Sequence, residues 1–176
     1  MTPQWFALRV RSRCEKVVAM AIRSKGFEDF LPLHRRWLRW SDRSKWVEAP
    51  LFPGYLFCHL NPEHRFSILT IPGVMHIVGV GKVPEPVDEQ EILAIQLALR
   101  ADAQVEPWPF LEAGQRVRLS SGPLTGLEGI LVDADEQRRV IVGLTILKRS
   151  VAVKIEREWV ELAAQVATSA GRALKV

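Results

Sequence analysis

Trp5-Phe6-Ala7-Leu8-Arg9-Val10-Arg11-Ser12-Arg13-Cys14-Glu15 switches from a period of two to a helical period, and that switch sets the fold class. Alternation places Phe6, Leu8 and Val10 on one face of a strand and Trp5, Ala7 and Arg9 on the other. Ser12-Arg13-Cys14-Glu15 then has the form of a capping box, a hydroxyl followed three residues later by a carboxylate. Cys14, Val17, Val18, Ala21 and Ile22 continue as one apolar helical stripe. Gly26 stands where a left-handed cap ends such a helix.

Working outward, Phe27 to Leu33 reads as a second strand and Leu51 to Leu60 contains a third. Between them, His34 to Ala49 forms a basic, tryptophan-rich excursion, expected to be a hairpin or a mobile loop. Asn61-Pro62 supplies an N-cap with proline in the first turn of a short helix, which must stop before Pro72. Val74 to Val80 is a fourth strand. Asp88-Glu89-Gln90-Glu91 is a second capping box, opening a third helix with Ile92, Ile95 and Leu99 on one stripe. The order strand, helix, strand, strand, helix, strand, helix is that of a ferredoxin-like split βαβ unit: a four-stranded antiparallel sheet with helices on one face. Leu56, Cys58 and Leu60 share the buried parity, which leaves Tyr55 and Phe57 on the open face.

Residues 102–113 include Pro107-Trp108-Pro109, lack periodicity and read as a linker after a first domain of residues 1–101. From Gly114 the texture changes to short β-rich runs: Gln115 to Leu119, Leu127 to Asp133, Arg139 to Leu144, Ser150 to Lys154 and Trp159 to Leu162. Five short strands over 114–162 predict a small all-β SH3-like barrel, making the whole chain α+β. Residues 163–176 read as a tail.

Composition narrows the function. With 48% hydrophobic and 25% charged residues the chain has the make-up of a soluble globular protein, expected to be cytoplasmic. No apolar run is long enough to cross a membrane. Cys14 and Cys58 lie far apart with no metal spacing, so free thiols are expected and neither a metal nor another cofactor. Residues 1–50 carry 11 Lys/Arg against 5 Asp/Glu; the whole chain has 24 against 20, leaving 13 against 15 for the rest. The excess cation in the first 50 residues predicts a polyanion-facing region. His34, His59, His64 and His76 show no ligand spacing, and no nucleophile, base and orienting group come together, so an enzyme is not expected.

Trp5 to Val10 with Glu15-Lys16, then Glu48-Ala49-Pro50-Leu51-Phe52-Pro53-Gly54-Tyr55-Leu56-Phe57, then Ile71-Pro72-Gly73-Val74, resemble the N-terminal domain of the NusG family of transcription elongation factors. Gly114 to Gly129 resembles the KOW motif of its C-terminal domain. The likeness runs over roughly residues 3–162, with both domains in family order. It implies a factor that binds the clamp helices of RNA polymerase through its N-terminal domain, suppresses pausing or modulates termination, and recruits Rho or a small-subunit ribosomal protein through the KOW domain.

Carried onto this sequence, the resemblance implies a polymerase-binding patch at Tyr55 and Phe57, rimmed by Val80, Ile92 and Ile95. It implies a second polymerase contact at Phe66, Ser67, Ile68 and Leu69, which departs from the polar motif of some branches. The KOW contacts fall on Ile146, Leu147 and Lys148. Nucleic-acid contacts, to the non-template DNA strand or upstream duplex, are expected from Arg9, Arg11, Arg13 and Lys16. The excursion adds Arg36, Trp37, Arg39, Trp40, Arg43 and Lys45, where cations suit phosphates and indoles suit unpaired bases. The Ala-Pro-Leu-Phe-Pro-Gly-Tyr-Leu-Phe strand and the Trp-Ser-Asp-Arg-Ser-Lys excursion look more like a specialised RfaH-like antitermination paralogue. The β-branched runs Val140 to Val142 and Val151 to Val153 predict a barrel rather than a helical, autoinhibited C-terminal domain. A monomer is expected. The alternatives are an RNA-binding module, since Gly54 to Leu60 half-matches the RNA-recognition consensus, and a ribosome-associated KOW protein acting in translation or ribosome assembly.

Overall fold

The computed structural model describes residues 2–39, 41–111, 114–134 and 136–161. Strands β1 (Gln4–Val10), β2 (Glu28–Phe30), β5 (Tyr55–Leu60) and β6 (Val74–Ile77) form a four-stranded antiparallel sheet in the order β2-β5-β1-β6. Strands β3 (Leu33–Arg39) and β4 (Ser44–Pro50) make a separate hairpin, and β7 (Gly79–Val80) and β8 (Val83–Pro84) a shorter one. The helices are α1 (Glu15–Ser24), α2 (Arg65–Leu69) and α3 (Glu89–Arg100). Strands β9 (Val105–Trp108), β10 (Arg116–Leu119), β11 (Glu128–Ala134), β12 (Gln137–Leu144), β13 (Arg149–Ile155) and β14 (Val160–Glu161) form one sheet in the order β14-β10-β11-β12-β13-β9. The chain is thus mixed α/β with antiparallel sheets and few helices.

Strand parity partitions the core as alternation requires. Phe6, Leu8, Val10, Leu56, Cys58 and Leu60 pack with Val18 and Ile22 of α1 and with Ile68 and Ile71. Trp5, Ala7 and Phe57, on the opposite face, join a second cluster with Ile92 and Ile95 of α3 and with Val140, Val142, Leu144, Val151 and Val153 of the six-stranded sheet. The expected open face is therefore covered. Helix α3 presents Ile92 and Ile95 to it, and the six-stranded sheet packs onto the same cluster.

Cap chemistry follows the sequence in three of four places. Gly26 has φ +83°, its N–H bonds Arg23 O, and Phe27 N–H closes onto Ile22 O, the double bond of a left-handed helix terminus. Asn61 accepts from Glu63 N, and Asp88 caps α3 by accepting from Gln90 N. The box at Ser12 does not form. Cys14 occupies the N-cap position without a side-chain bond, and Glu15 turns inward to accept from Gly54 N at 2.8 Å. A buried carboxylate facing an otherwise unpaired N–H outweighs a solvent-exposed cap.

The linker assignment needs correction. Val105–Trp108 adds to the six-stranded sheet as an edge strand, pairing Val153↔Val105, Ala152↔Glu106 and Val151↔Pro107. Proline is tolerated there because an edge strand need not donate on its outer side. The second expected strand, Phe27 to Leu33, is divided between β2 and the hairpin, and the fourth is broken between Ile77 and Gly79. The expected hairpin over the excursion is present. Residues 139–155 form strands joined by one short 3-10 turn, with no α-helix, and the tail 163–176 lies outside the described residues.

Candidate interaction surfaces

Tyr55 opens β5 opposite Arg9, two residues before the Phe57↔Ala7 pair. Gly54 sets this corner with φ +82°, and a Cβ there would come 2.2 Å from Arg9 Nη1. Its N–H is held by Glu15, and its carbonyl accepts from Val10 N at 2.9 Å. Arg9 is thereby folded back against the turn, its guanidinium 4.7 Å from the Tyr55 ring centroid. A second guanidinium, that of Arg149 at the start of β13, stands 5.6 Å from the same ring. Tyr55 is half-buried between cations from both ends of the chain.

Other residues expected in this patch divide by depth. Phe57, Ile92 and Ile95 have no exposed surface. They are core residues in this arrangement, because the six-stranded sheet covers the face on which they were expected to be open. Phe57 packs edge-on against Phe52, and no nucleobase can reach it. Val80 is 74% exposed on the β7–β8 turn beside exposed Val83.

The covering element is the turn where partner contacts were expected in the C-terminal half. Thr145–Leu147 forms a single 3-10 turn after β12, closed by Lys148 in the left-handed region at φ +49°. Ile146 and Leu147 are half-buried against the shared cluster rather than free. Lys148 extends its Nζ to 5.0 Å over the Phe110 ring. Glu91 of α3 accepts from Thr145 N at 3.1 and 3.2 Å and from Thr145 Oγ1 at 2.5 Å. The two expected docking surfaces face each other. Sequence reading placed Glu91 in a cap and 145–149 in a partner loop but missed the Glu91–Thr145 and Tyr55–Arg149 pairings, because nothing local marks contacts between segments so far apart.

On the far side of the first sheet, α2 presents Phe66 and Leu69 to solvent, with Ser67 between them. Ile68 is fully buried and cannot contact a partner, because a five-residue helix turns one residue in three or four onto its sheet.

The cationic residues lie on two edges. Arg11, Arg13 and Lys16 are exposed after β1, and Lys16 reaches Glu48 of the hairpin at 3.6 Å. Arg9 is committed to Gly54 and Tyr55 instead of the solvent. In the hairpin, Trp37 pairs across from Trp46 with ring centroids 5.1 Å apart at 62°, and both are more than half exposed. Arg36, Arg39, Arg43 and Lys45 are exposed; Trp40 lies outside the described residues.

Three titrating groups are perturbed, and the first, the Arg23 guanidinium, is raised by its hydrogen bond and ion pair with Asp29. Burial, then repulsion from Arg36, lowers the His34 imidazole, against a weaker opposite pull from Glu106. Burial, reinforced by Asp29 and Glu28, pushes the Cys58 thiol up to about 12. Among the described residues no group of three His, Cys, Asp or Glu could hold a metal ion, and no helix is long and apolar enough to cross a membrane.

The described residues thus bring together an aromatic corner at Tyr55, a half-buried apolar turn at Ile146 and Leu147, and a basic hairpin. Residues 3–96 match the family model described as transcription termination factor NusG, and the chain belongs to that family. The transcription termination/antitermination protein NusG of Borreliella burgdorferi is 24% identical over 92% of this chain and 99% of its own length. That of Campylobacter jejuni is 28% identical over 91% and 97%. The Vibrio cholerae NusG is 31% identical over 65% of each chain. A solved structure of Thermotoga maritima NusG, described by its domain interaction, covers 93% of this chain and 99% of its own, with 23% identity and a TM-score of 0.55, which supports the shared fold.

Proposed function

We propose that this protein is a transcription elongation and antitermination factor that docks on the clamp helices of RNA polymerase through the Tyr55 corner. In this reading residues 1–101 are a ferredoxin-like N-terminal domain and 114–162 an SH3-like KOW barrel. The barrel turn Ile146-Leu147-Lys148 recruits Rho or a small-subunit ribosomal protein, Phe66 and Leu69 reach the opposite side of the polymerase cleft, and the basic residues touch DNA. It acts in the cytoplasm as a monomer, and its excursion fits an RfaH-like specialised member better than a housekeeping one.

The observation that carries the reading is mutual coverage. Tyr55 and the 145–149 turn, assigned to different partners, occupy each other in the free protein. Free energy gained from polymerase must then first separate them, and a separated barrel is available to the second partner. The domain interaction by which the Thermotoga maritima structure is described accords with such a closed state. Clamping the cleft disfavours the opening that accompanies pausing, which is a population shift without chemistry.

The test is transcription in vitro with purified polymerase over pause and Rho-dependent templates. Wild type should shorten pauses or alter read-through, and Tyr55→Ala should lose that effect while remaining folded. No effect of wild type on either template refutes the function; full activity of Tyr55→Ala refutes the patch.

A further inference from the structure

Where the base of the β3–β4 hairpin meets the six-stranded sheet, like charges gather without partners. Arg139 of β12 and Lys154 of β13 stand directly opposite each other in the register, an arrangement that destabilises a sheet unless something neutralises it. Arg139 is satisfied: its Nε lies 3.2 Å from a Glu106 oxygen and its guanidinium 5.3 Å from the Trp108 ring centroid. Lys154 donates its backbone N–H to Gln104 O at 3.0 Å, but its ammonium has no ion pair or hydrogen bond among the described residues. Arg35 and Arg36 of β3 approach the same place, and their guanidiniums have no ion pair or hydrogen bond among the described residues either.

These side chains line one cleft of about 770 Å³ between the hairpin base, residues 99–106 and the six-stranded sheet. That volume falls in the range of small-ligand sites, about 300–1,000 Å³. Three carboxylates also line it, and two are taken: Glu106 by Arg139, and Glu48 by Lys16 at 3.6 Å. Asp102 is left against Arg35, Arg36 and Lys154. His34, in the same lining, registers the excess: burial and then repulsion from Arg36 hold its imidazole below the ordinary value, against a weaker pull from Glu106. Trp46 adds a flat apolar wall with 60% of its surface exposed.

We propose that this cleft binds a small polyphosphate anion of the nucleoside triphosphate class, with its phosphates on Arg35, Arg36 and Lys154 and its base against Trp46. Three cations facing one free carboxylate call for a ligand of more than one negative charge. Guanidiniums meet phosphate oxygens through paired N–H bonds, and an ammonium meets them as a point charge. The indole supplies a planar surface for the base, which inorganic triphosphate would leave unused. Because the cations come from β3 and β13, the ligand ties the hairpin of the first half to the six-stranded sheet. By mass action its concentration then favours the closed arrangement. The site goes beyond the polymerase and DNA contacts of the proposed function and does not depend on them.

The test is isothermal titration calorimetry of the full chain with ATP, inorganic triphosphate and adenosine in metal-free buffer. ATP should bind one to one, more weakly as salt rises, and at least tenfold tighter than adenosine. Tighter binding of ATP than of inorganic triphosphate, lost in Trp46→Leu, supports the nucleotide; equal binding of the two overturns the base contact. Arg36→Gln and Lys154→Gln, one from each wall of the cleft, should each weaken ATP at least fivefold. Lys25→Gln, exposed at the end of α1, should leave it unchanged. Followed by NMR, the His34 ring should titrate at higher pH with ATP bound, since a nearby anion favours the imidazolium. No saturable binding of ATP, adenosine binding as tightly as ATP, or full affinity in either Arg36→Gln or Lys154→Gln overturns the proposal. An unshifted His34 titration in the unmutated chain overturns it as well, a result that does not depend on any variant folding. Because the assay contains no polymerase, failure here with pausing activity intact leaves the proposed function standing.

Discussion

Glu91 and Thr145, 54 residues apart, are joined by three short contacts: both Glu91 oxygens accept from the Thr145 N–H, and one accepts from its hydroxyl. The carboxylate that a capping box would return to its own helix end instead closes the first turn of another element. It thereby fixes the 145–149 turn over the Tyr55 corner. Exposed hydrogen bonds to a charged acceptor contribute about 1.5–3 kcal/mol at most, a size suited to a contact that must open.

Glu91→Ala should accordingly favour separated halves by about 1–3 kcal/mol. Small-angle scattering and amide shifts of residues 145–149 read the change. The fold of each half should persist, since Glu91 is only half-buried and lies outside both apolar cores.

Tyr55→Ala and Phe57→Ala should behave differently. Phe57 is fully buried, so truncation costs about 3–5 kcal/mol of stability and lowers the urea midpoint. Tyr55→Ala removes a half-buried ring flanked by Arg9 and Arg149, at about 0.5–2 kcal/mol, and chiefly loosens the contact between the halves.

Gly122→Ala tests the turn after β10. Gly122 has φ +79°, and an added Cβ would lie 2.6 Å from the Trp159 ring. Strain and displacement together should destabilise the six-stranded sheet by about 1–3 kcal/mol, seen in thermal unfolding. Gly126→Ala, also at positive φ but in open space, should cost less.

His34 makes stability depend on pH. Its folded-state pKa lies below the ordinary 6.5, so the unfolded chain takes up the proton first. The contribution is full above 6.5 and is lost as pH falls through and below that value. Urea midpoints at pH 7.5 and 5.5 should differ less in His34→Gln than in wild type.

Cys58 should resist alkylation. A thiol near 12 is about one part in ten thousand thiolate at pH 8, and the group is fully buried. Iodoacetamide on the folded protein should label Cys14 and spare Cys58, with both labelled in urea.

The sequence by itself determined the parity of β1 and β5, the left-handed stop at Gly26, the caps at Asn61 and Asp88, and the succession of strands from Arg116 onward. These are local consequences of side-chain period, glycine conformation and short-range hydrogen bonding, so a window of residues suffices to read them. The family was legible for the same reason, being carried by contiguous motifs. Tertiary structure alone decided the destination of each exposed face. Phe57, Ile92 and Ile95 became core because a distant sheet covers them, and Glu15 and Glu91 left their expected caps for Gly54 and Thr145. Val105–Trp108 turned from linker into strand because β13 offered an unpaired edge. Burial and long-range pairing are properties of two segments meeting, and neither segment records its partner.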